Sequence, residues 1–266
     1  MFSIIRSGIY ILWLMATVIP WAVCALVLSI IVRGPKLYWF CTGWLWLALW
    51  GARLICGVRW RLQGQHHLKL AQKQALILCP KHQSTWETFA FPVLMPQPLA
   101  YVFKQELLRI PFFGWAMARL DMIHINRQKS AQAWQKVVDQ GQRFMAKGLW
   151  VIMFPEGTRT ARGTKGKYKT GASRLALSTG AALVPIAVTS ARCWPRRSFI
   201  LKPGIIDVSI GPPISPLIGI ETPTTSAEEL MHQVEHWIET EMHKLDPSAY
   251  VTHNPQPVHR AATHTP

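Results

Sequence analysis

The sequence predicts an α/β domain carried behind a hydrophobic helical membrane segment. Three observations predict it: long uncharged runs confined to the first 52 residues, short apolar runs alternating with helical periodicity from Val58 onward, and a basic charge excess that stops at residue 220. The chain has 266 residues, enough for one large domain or two small ones with a buried core. Half of it is hydrophobic, 13 residues are Trp and only 16% are charged, which excludes a disordered chain. A formal net charge of +16 beside so much apolar surface also sets it apart from an ordinary soluble enzyme.

The first element is Ser7 to Val32, 26 residues without a charge and long enough to cross the hydrocarbon of a bilayer with some tilt. Pro20 is expected to bend it. A second uncharged run, Leu37 to Ala52, has 16 residues and four Trp, which suit the headgroup level; it is short for a span and reads equally as a re-entrant or interfacial helix. The first run is too long for a cleaved signal peptide, so a retained anchor is expected. Arg53, Arg59 and Arg61 follow the second run and place the rest of the chain on the cytoplasmic side, hence an inner-membrane protein with its domain facing the cytoplasm.

Strands are expected over Ala75–Cys79, Leu99–Phe103, Met122–Ile125, Leu149–Phe154, Leu183–Val188 and Ile205–Ile210. Helices are expected over Ser130–Lys147 and over Thr170–Thr179, the latter closed by Gly180. A last helix begins at Ser226 with Glu229 completing a capping box, and Leu230, Val234, Trp237, Ile238 and Leu245 form its apolar face. The organisation is therefore 1–57 membrane-anchoring helices, 58–246 the α/β domain and 247–266 a disordered tail rich in Pro, His and Thr. The five cysteines form no CxxC pair and read as small buried residues.

Residues 1–220 hold 27 bases against six acids, an excess that predicts anionic partners. Nucleic acid is not favoured, because the bases come with a membrane anchor and no binding signature. His232 and His236 match the HxxEH pattern of a zinc-peptidase group, but they lie opposite the apolar stripe with Glu239 and His243, as on a solvated face. Gly166 and Gly171 have the spacing of a nucleotide-binding loop without its Lys and hydroxyl pair. There is no GxSxG nucleophile elbow.

Chemistry concentrates at two strand ends. Lys81-His82-Gln83-Ser84-Thr85-Trp86-Glu87-Thr88 follows the strand at 75–79; Ser84 or Thr85 can cap the next helix, and Glu87, one turn in, can reach back to His82. A carboxylate on one imidazole nitrogen makes the other a competent general base. Phe154-Pro155-Glu156-Gly157-Thr158-Arg159 ends another strand with a carboxylate, a glycine and a fixed cation, and six bases lie within 159–174. Phe103-Lys104-Gln105-Glu106-Leu107 and Ile125-Asn126-Arg127 add two more strand-end cations.

With these motifs the sequence resembles the 1-acyl-sn-glycerol-3-phosphate acyltransferases of the glycerolipid acyltransferase family. Four blocks in order carry the resemblance: His82 to Glu87 for the His-x4-Asp block, Arg127 preceded by FKQEL and Pro111-Phe112-Phe113-Gly114, the intact FPEGTR at 154–159, and Val184-Pro185-Ile186. Glu87 stands where the family usually has Asp, and Leu120-Asp121 where it often has Gly. The resemblance implies that family's mixed sheet flanked by helices. It also implies transfer of a fatty acyl group from acyl-ACP or acyl-CoA to the sn-2 hydroxyl of lysophosphatidic acid, giving phosphatidic acid for phospholipid biosynthesis. His82 would be the base and Glu87 its support. Lys104, Arg127 and Arg159 would hold the acceptor phosphate, with Gly157 admitting backbone amides and Glu156 aligning the arginines or touching the glycerol. No metal or other cofactor is implied, and anionic lipid would dock the basic surface. The other readings are a sister enzyme acylating another lysolipid or glycerol 3-phosphate, and a non-catalytic anionic-lipid-binding membrane protein.

Overall fold

The computed structural model describes residues 2–111, 113–125, 130–216 and 226–251, apart from the side chains at 104, 113, 125 and 130–133. Seven strands form one mixed sheet: β1 (Val58–Gln63), β2 (Leu76–Pro80), β3 (Leu99–Lys104), β4 (Ile123–Ile125), β5 (Trp150–Ile152), β6 (Ala182–Val188) and β7 (Gly204–Ile210). Their order across the sheet is β1-β7-β6-β2-β5-β3-β4. The described pairings are parallel except β6 with β7, which run antiparallel with Ile186 opposite Ile210. The central β2 is buried on both faces, as expected of a parallel strand under helices.

Helices cover both faces. On one lie α1 (Phe2–Leu28), α2 (Pro35–Cys56) and α4 (Trp86–Leu94), packed over Leu76 and Leu78. On the other lie α6 (Ser130–Ala146), α7 (Gly171–Thr179) and α8 (Ala227–Leu245), packed over Ile77 and Cys79. Two short helices, α3 (Gln65–Leu70) and α5 (Phe113–Met117), sit in connections. α7 ends on Gly180 at φ +73, a left-handed cap that a side chain would strain. α8 opens with the expected capping box between Ser226 and Glu229.

α1 and α2 form an antiparallel hairpin. Tyr10 donates to Ala48 O at 3.0 Å, Trp44 Nε1 to Thr17 Oγ1 at 3.1 Å and Trp21 Nε1 to Phe40 O at 3.1 Å. The helix continues through Pro20. Its other face is apolar and open: Phe2 is 82% exposed and Leu12 70%, with Ile5, Ile9, Met15 and Val27 beside them. Helix α1 is long and apolar enough to cross a membrane, and a contiguous exposed apolar face of this extent fits membrane association. The hairpin is also tied to the domain, because Leu201 N donates to the buried Ser7 hydroxyl at 2.8 Å; Arg6 Nε donates to Ile55 O at 2.7 Å and closes the open end of the hairpin itself.

Two features were not anticipated. Strand β1 reads VRWRLQ, so its arginines mask the apolar run; it pairs with β7 at the sheet edge, where alternate side chains meet solvent. The domain also runs past residue 246. Pro247–Ala249 make a 3-10 turn and Tyr250 packs on the second core, held by Arg162, whose Nε and Nη2 each donate to Asp246 at 2.7 Å. Residues 252–266 of the expected tail lie outside the described residues.

Candidate active site

The chain leaves β2 at Pro80, makes a tight loop and enters α4 at Trp86. This geometry folds the first turn of α4 back over His82. Glu87 Oε2 meets His82 Nδ1 at 2.7 Å, and the Glu87 side chain is wholly buried. A buried carboxylate must have its lone pairs taken up. Glu87 accepts from Gln83 N at 3.0 Å and from Ser84 N at 2.9 Å, and from the buried Ser190 hydroxyl just beyond β6. Ser84 Oγ accepts from Trp86 N at 2.9 Å, and the Thr85 side chain makes no cap bond. With Glu87 accepting, the imidazole proton sits on Nδ1 and Nε2 is left as an acceptor. The Phe154 ring stacks on the imidazole at 3.9 Å and 25°, fixing the plane of the ring.

The segment from Phe154 to Thr160 clamps the same histidine by its backbone. His82 N donates to Glu156 Oε2 at 3.0 Å, and His82 O accepts from Thr160 N at 2.8 Å and Thr160 Oγ1 at 3.2 Å. Both peptide groups of residue 82 are thereby held by one loop. Gly157 turns that loop at φ +65, with its amide donating to Phe154 O at 3.0 Å; a Cβ there would stand 3.1 Å from Lys169 Nζ. The Gly157 amide itself is thus used in closing the turn.

Glu156 departs from its expected place. Its side chain is wholly buried and points away from solvent, with Oε1 accepting from Lys81 Nζ at 2.8 Å and Gly166 N at 3.0 Å. Buried in this way, the carboxylate braces His82 and the 160s loop. Lys81 is itself fully buried and also binds Glu239 Oε1 at 2.7 Å and Thr164 O at 3.1 Å. Tyr168 OH donates to the same Glu239 oxygen at 2.7 Å; burial first, then Glu239 and Glu156, push its phenol far up, so it stays a donor. Glu239, expected on a solvated face, is therefore part of a buried cluster that joins α8 to the histidine loop.

His82, Glu87, Glu156, Gly157 and Arg159 are thus brought together at the ends of β2 and β5. Arg159 is partly exposed, and its backbone carbonyl accepts from Arg196 Nη1. Arg127 and the side chain of Lys104 lie outside the described residues. Lys81, Glu239 and Ser190 were missed. Lys81 directly precedes the candidate base, which is a signal only in hindsight, because a lysine after a strand is ordinarily solvated.

A cavity of about 340 Å³ runs between the hairpin and the sheet and reaches the histidine loop at Thr85, in the size range of small-molecule pockets. Val18, Trp21 and Ala25 of α1 and Cys41, Trp44 and Leu45 of α2 form one wall; Thr85, Thr88 and Phe89 of the α4 region, Tyr101 and Phe103 of β3, and Leu120 form others. Arg159 supplies its cation. An apolar slot with a guanidinium in its wall, reached by the loop that carries the His82 imidazole, suits a molecule with a fatty chain, a hydroxyl and an anionic group.

The comparisons agree. A family model described as Acyltransferase matches residues 59–189. The 1-acyl-sn-glycerol-3-phosphate acyltransferase of Pseudomonas aeruginosa is 35% identical over 254 residues, covering 95% of this chain and 96% of that one. The enzyme of the same name from Cocos nucifera is 27% identical over 259 residues, 96% of this chain and 76% of its own. In fold, the chain is similar to the crystal structure of the 1-acyl-sn-glycerophosphate acyltransferase from Thermotoga maritima, with a TM-score of 0.73 at 19% identity, over 92% of this chain and 96% of that one. Fold and site thus define an acyltransferase. The chain belongs to the 1-acyl-sn-glycerol-3-phosphate acyltransferase family.

Proposed function

We propose that this protein transfers a fatty acyl group from a thioester to the sn-2 hydroxyl of 1-acyl-sn-glycerol 3-phosphate, forming phosphatidic acid. The observation that carries the reading is the His82–Glu87 pair, 2.7 Å apart, on the loop whose Thr85 lines an apolar cavity that also contains Arg159. The relatives' names supply the acceptor.

His82 Nε2 would take the proton of the sn-2 hydroxyl as its oxygen attacks the thioester carbon. The imidazolium so formed shares its Nδ1 proton with Glu87. The tetrahedral intermediate then collapses, the carbon–sulfur bond breaks, and the Nε2 proton passes to the departing thiolate. No acyl-enzyme is required. Base catalysis of this kind contributes about 10²–10⁴-fold, and positioning of the two substrates supplies much of the rest. Arg159, with Arg127 and Lys104, would hold the acceptor phosphate, for which a guanidinium fork is well shaped. The acceptor's fatty chain would fill the cavity under the hairpin.

The donor is acyl-ACP or acyl-CoA, and the product enters phospholipid biosynthesis. The exposed face of α1 would lie in the inner membrane with the sheet on the cytoplasmic side, where the basic surface meets anionic lipid at about 1 kcal/mol per base near the surface. The test is a radiolabelled assay of the purified protein with palmitoyl-CoA and palmitoyl-ACP against a panel of acceptors. Turnover of lysophosphatidic acid supports the reading. Turnover confined to glycerol 3-phosphate or to another lysolipid overturns it.

A further inference from the structure

Tyr101 carries a hydroxyl into the wall of a predominantly apolar cavity. It lies in β3, where Ala100 and Val102 face the α6 side and Tyr101 and Phe103 line the cavity beneath the hairpin. Its phenol oxygen is buried and has no hydrogen-bond partner among the described residues. A buried hydroxyl without a partner is costly, so its persistence in a ligand cavity points to a ligand that supplies the partner. Burial, then Tyr38 and then Glu87, keep this phenol protonated well beyond its ordinary range, so it acts as a donor and needs an acceptor.

Its position narrows the choice of acceptor atom. Tyr101 lies in β3, while His82 and Phe154 follow β2 and β5, and these strands are neighbours in the order β2, β5, β3. His82 stacks on Phe154 at 3.9 Å, and Phe154 lies 6.4 Å from Tyr101. Tyr101 lines the chain cavity and His82 does not, so the phenol is set back from the reacting imidazole. In the acceptor the sn-2 hydroxyl belongs at His82 and the phosphate at the arginines. One polar group remains between them and the fatty chain: the ester on the adjacent glycerol carbon. Its carbonyl oxygen accepts hydrogen bonds and carries no donor of its own, the complement of a lone phenol.

We infer that the Tyr101 hydroxyl donates to the sn-1 ester carbonyl of the acceptor and so makes the enzyme select acyl over alkyl-ether lysolipid. The inference rests on the lysophosphatidic acid reading above and goes beyond it by naming which acceptors are refused. An ether-linked acceptor has the same hydroxyl, phosphate and chain, and lacks only that carbonyl. A site built around a buried donor rejects an analogue that leaves the donor unpaired.

The experiment compares 1-palmitoyl-glycerol 3-phosphate with 1-O-hexadecyl-glycerol 3-phosphate as acceptors for the full-length enzyme and its Tyr101→Phe variant. The wild type is expected to favour the ester by about tenfold in kcat/KM. In Tyr101→Phe the ester's advantage should collapse toward one, through a raised KM for the ester with kcat little altered. A wild-type ratio near one, or a ratio that the substitution leaves unchanged, overturns the inference. A fall in kcat of the same size for both acceptors also overturns it, since that outcome assigns the phenol to packing or to the thioester. Because the wild-type ratio is read independently, poor folding of the variant leaves the claim open to refutation. Failure of the wild type to use either acceptor overturns the proposed function itself, whereas turnover of both without discrimination overturns only the role of Tyr101.

Discussion

Lys81 and Glu156 form a wholly buried ion pair at 2.8 Å, and the second oxygen of that same glutamate holds the backbone amide of His82 at 3.0 Å. The candidate base is thus braced from behind by a charge cluster whose third member, Glu239, belongs to the last helix. One cation faces two carboxylates, with Tyr168 OH and the Gly166 amide completing the set.

Removing the cation should therefore be severe. Lys81→Met leaves two carboxylates in low-dielectric surroundings, and breaking a buried pair in this way costs about 3–5 kcal/mol. Chemical denaturation is expected to show that loss. The double variant Lys81→Met with Glu239→Leu should recover part of it, because one stranded charge is then gone. An unchanged midpoint in Lys81→Met would refute the cluster.

Glu156 separates two roles by kinetics. If it braces His82, Glu156→Gln should lower kcat by about 10²-fold, a typical penalty for a base held slightly out of place, while KM for the acceptor changes little. Were the side chain a phosphate or glycerol contact, KM would rise and kcat would hold.

A pH dependence follows from the far end of α8. Asp246 accepts two bonds from Arg162 at 2.7 Å and lies 3.3 Å from Arg192. Burial pushes its carboxyl up, but the Arg162 hydrogen bonds and the Arg192 and Arg162 charges outweigh that and hold it below the ordinary carboxylate range. A depressed carboxyl stabilises the fold fully above its unfolded value of about 4 and stops doing so as pH falls through the lower folded value. Wild type should thus melt above Asp246→Asn at pH 7, and the gap should close below about pH 4. A gap that widens on acidification would reverse the sign and contradict the ion-pair account.

Much of this site was legible because its reacting pair is local. His82 and Glu87 are five residues apart, and a strand end followed by a helix start brings them together whatever the rest of the fold does. The FPEGTR segment was recognisable as a motif, but the direction of its glutamate was not, since that depends on Lys81, 75 residues away. Ser190 reaches Glu87 across 103 residues and Glu239 reaches Lys81 across 158. Such contacts arise from strand order, and helix periodicity alone places Glu239 among solvated neighbours such as His232 and His236. The same holds for Asp207, which binds Arg61 because β1 docks beside β7 and Arg192 because β6 docks on the other side. Tyr101 looks like any buried strand residue until the cavity it lines is seen.

The most direct test of the account is steady-state turnover of 1-palmitoyl-glycerol 3-phosphate and palmitoyl-CoA or palmitoyl-ACP by the wild type beside His82→Ala, with folding of both checked by thermal melting. The account predicts a fall in kcat of about 10²–10⁴-fold for a variant that melts and binds acceptor like the wild type. Turnover by His82→Ala within a few-fold of wild type would contradict it.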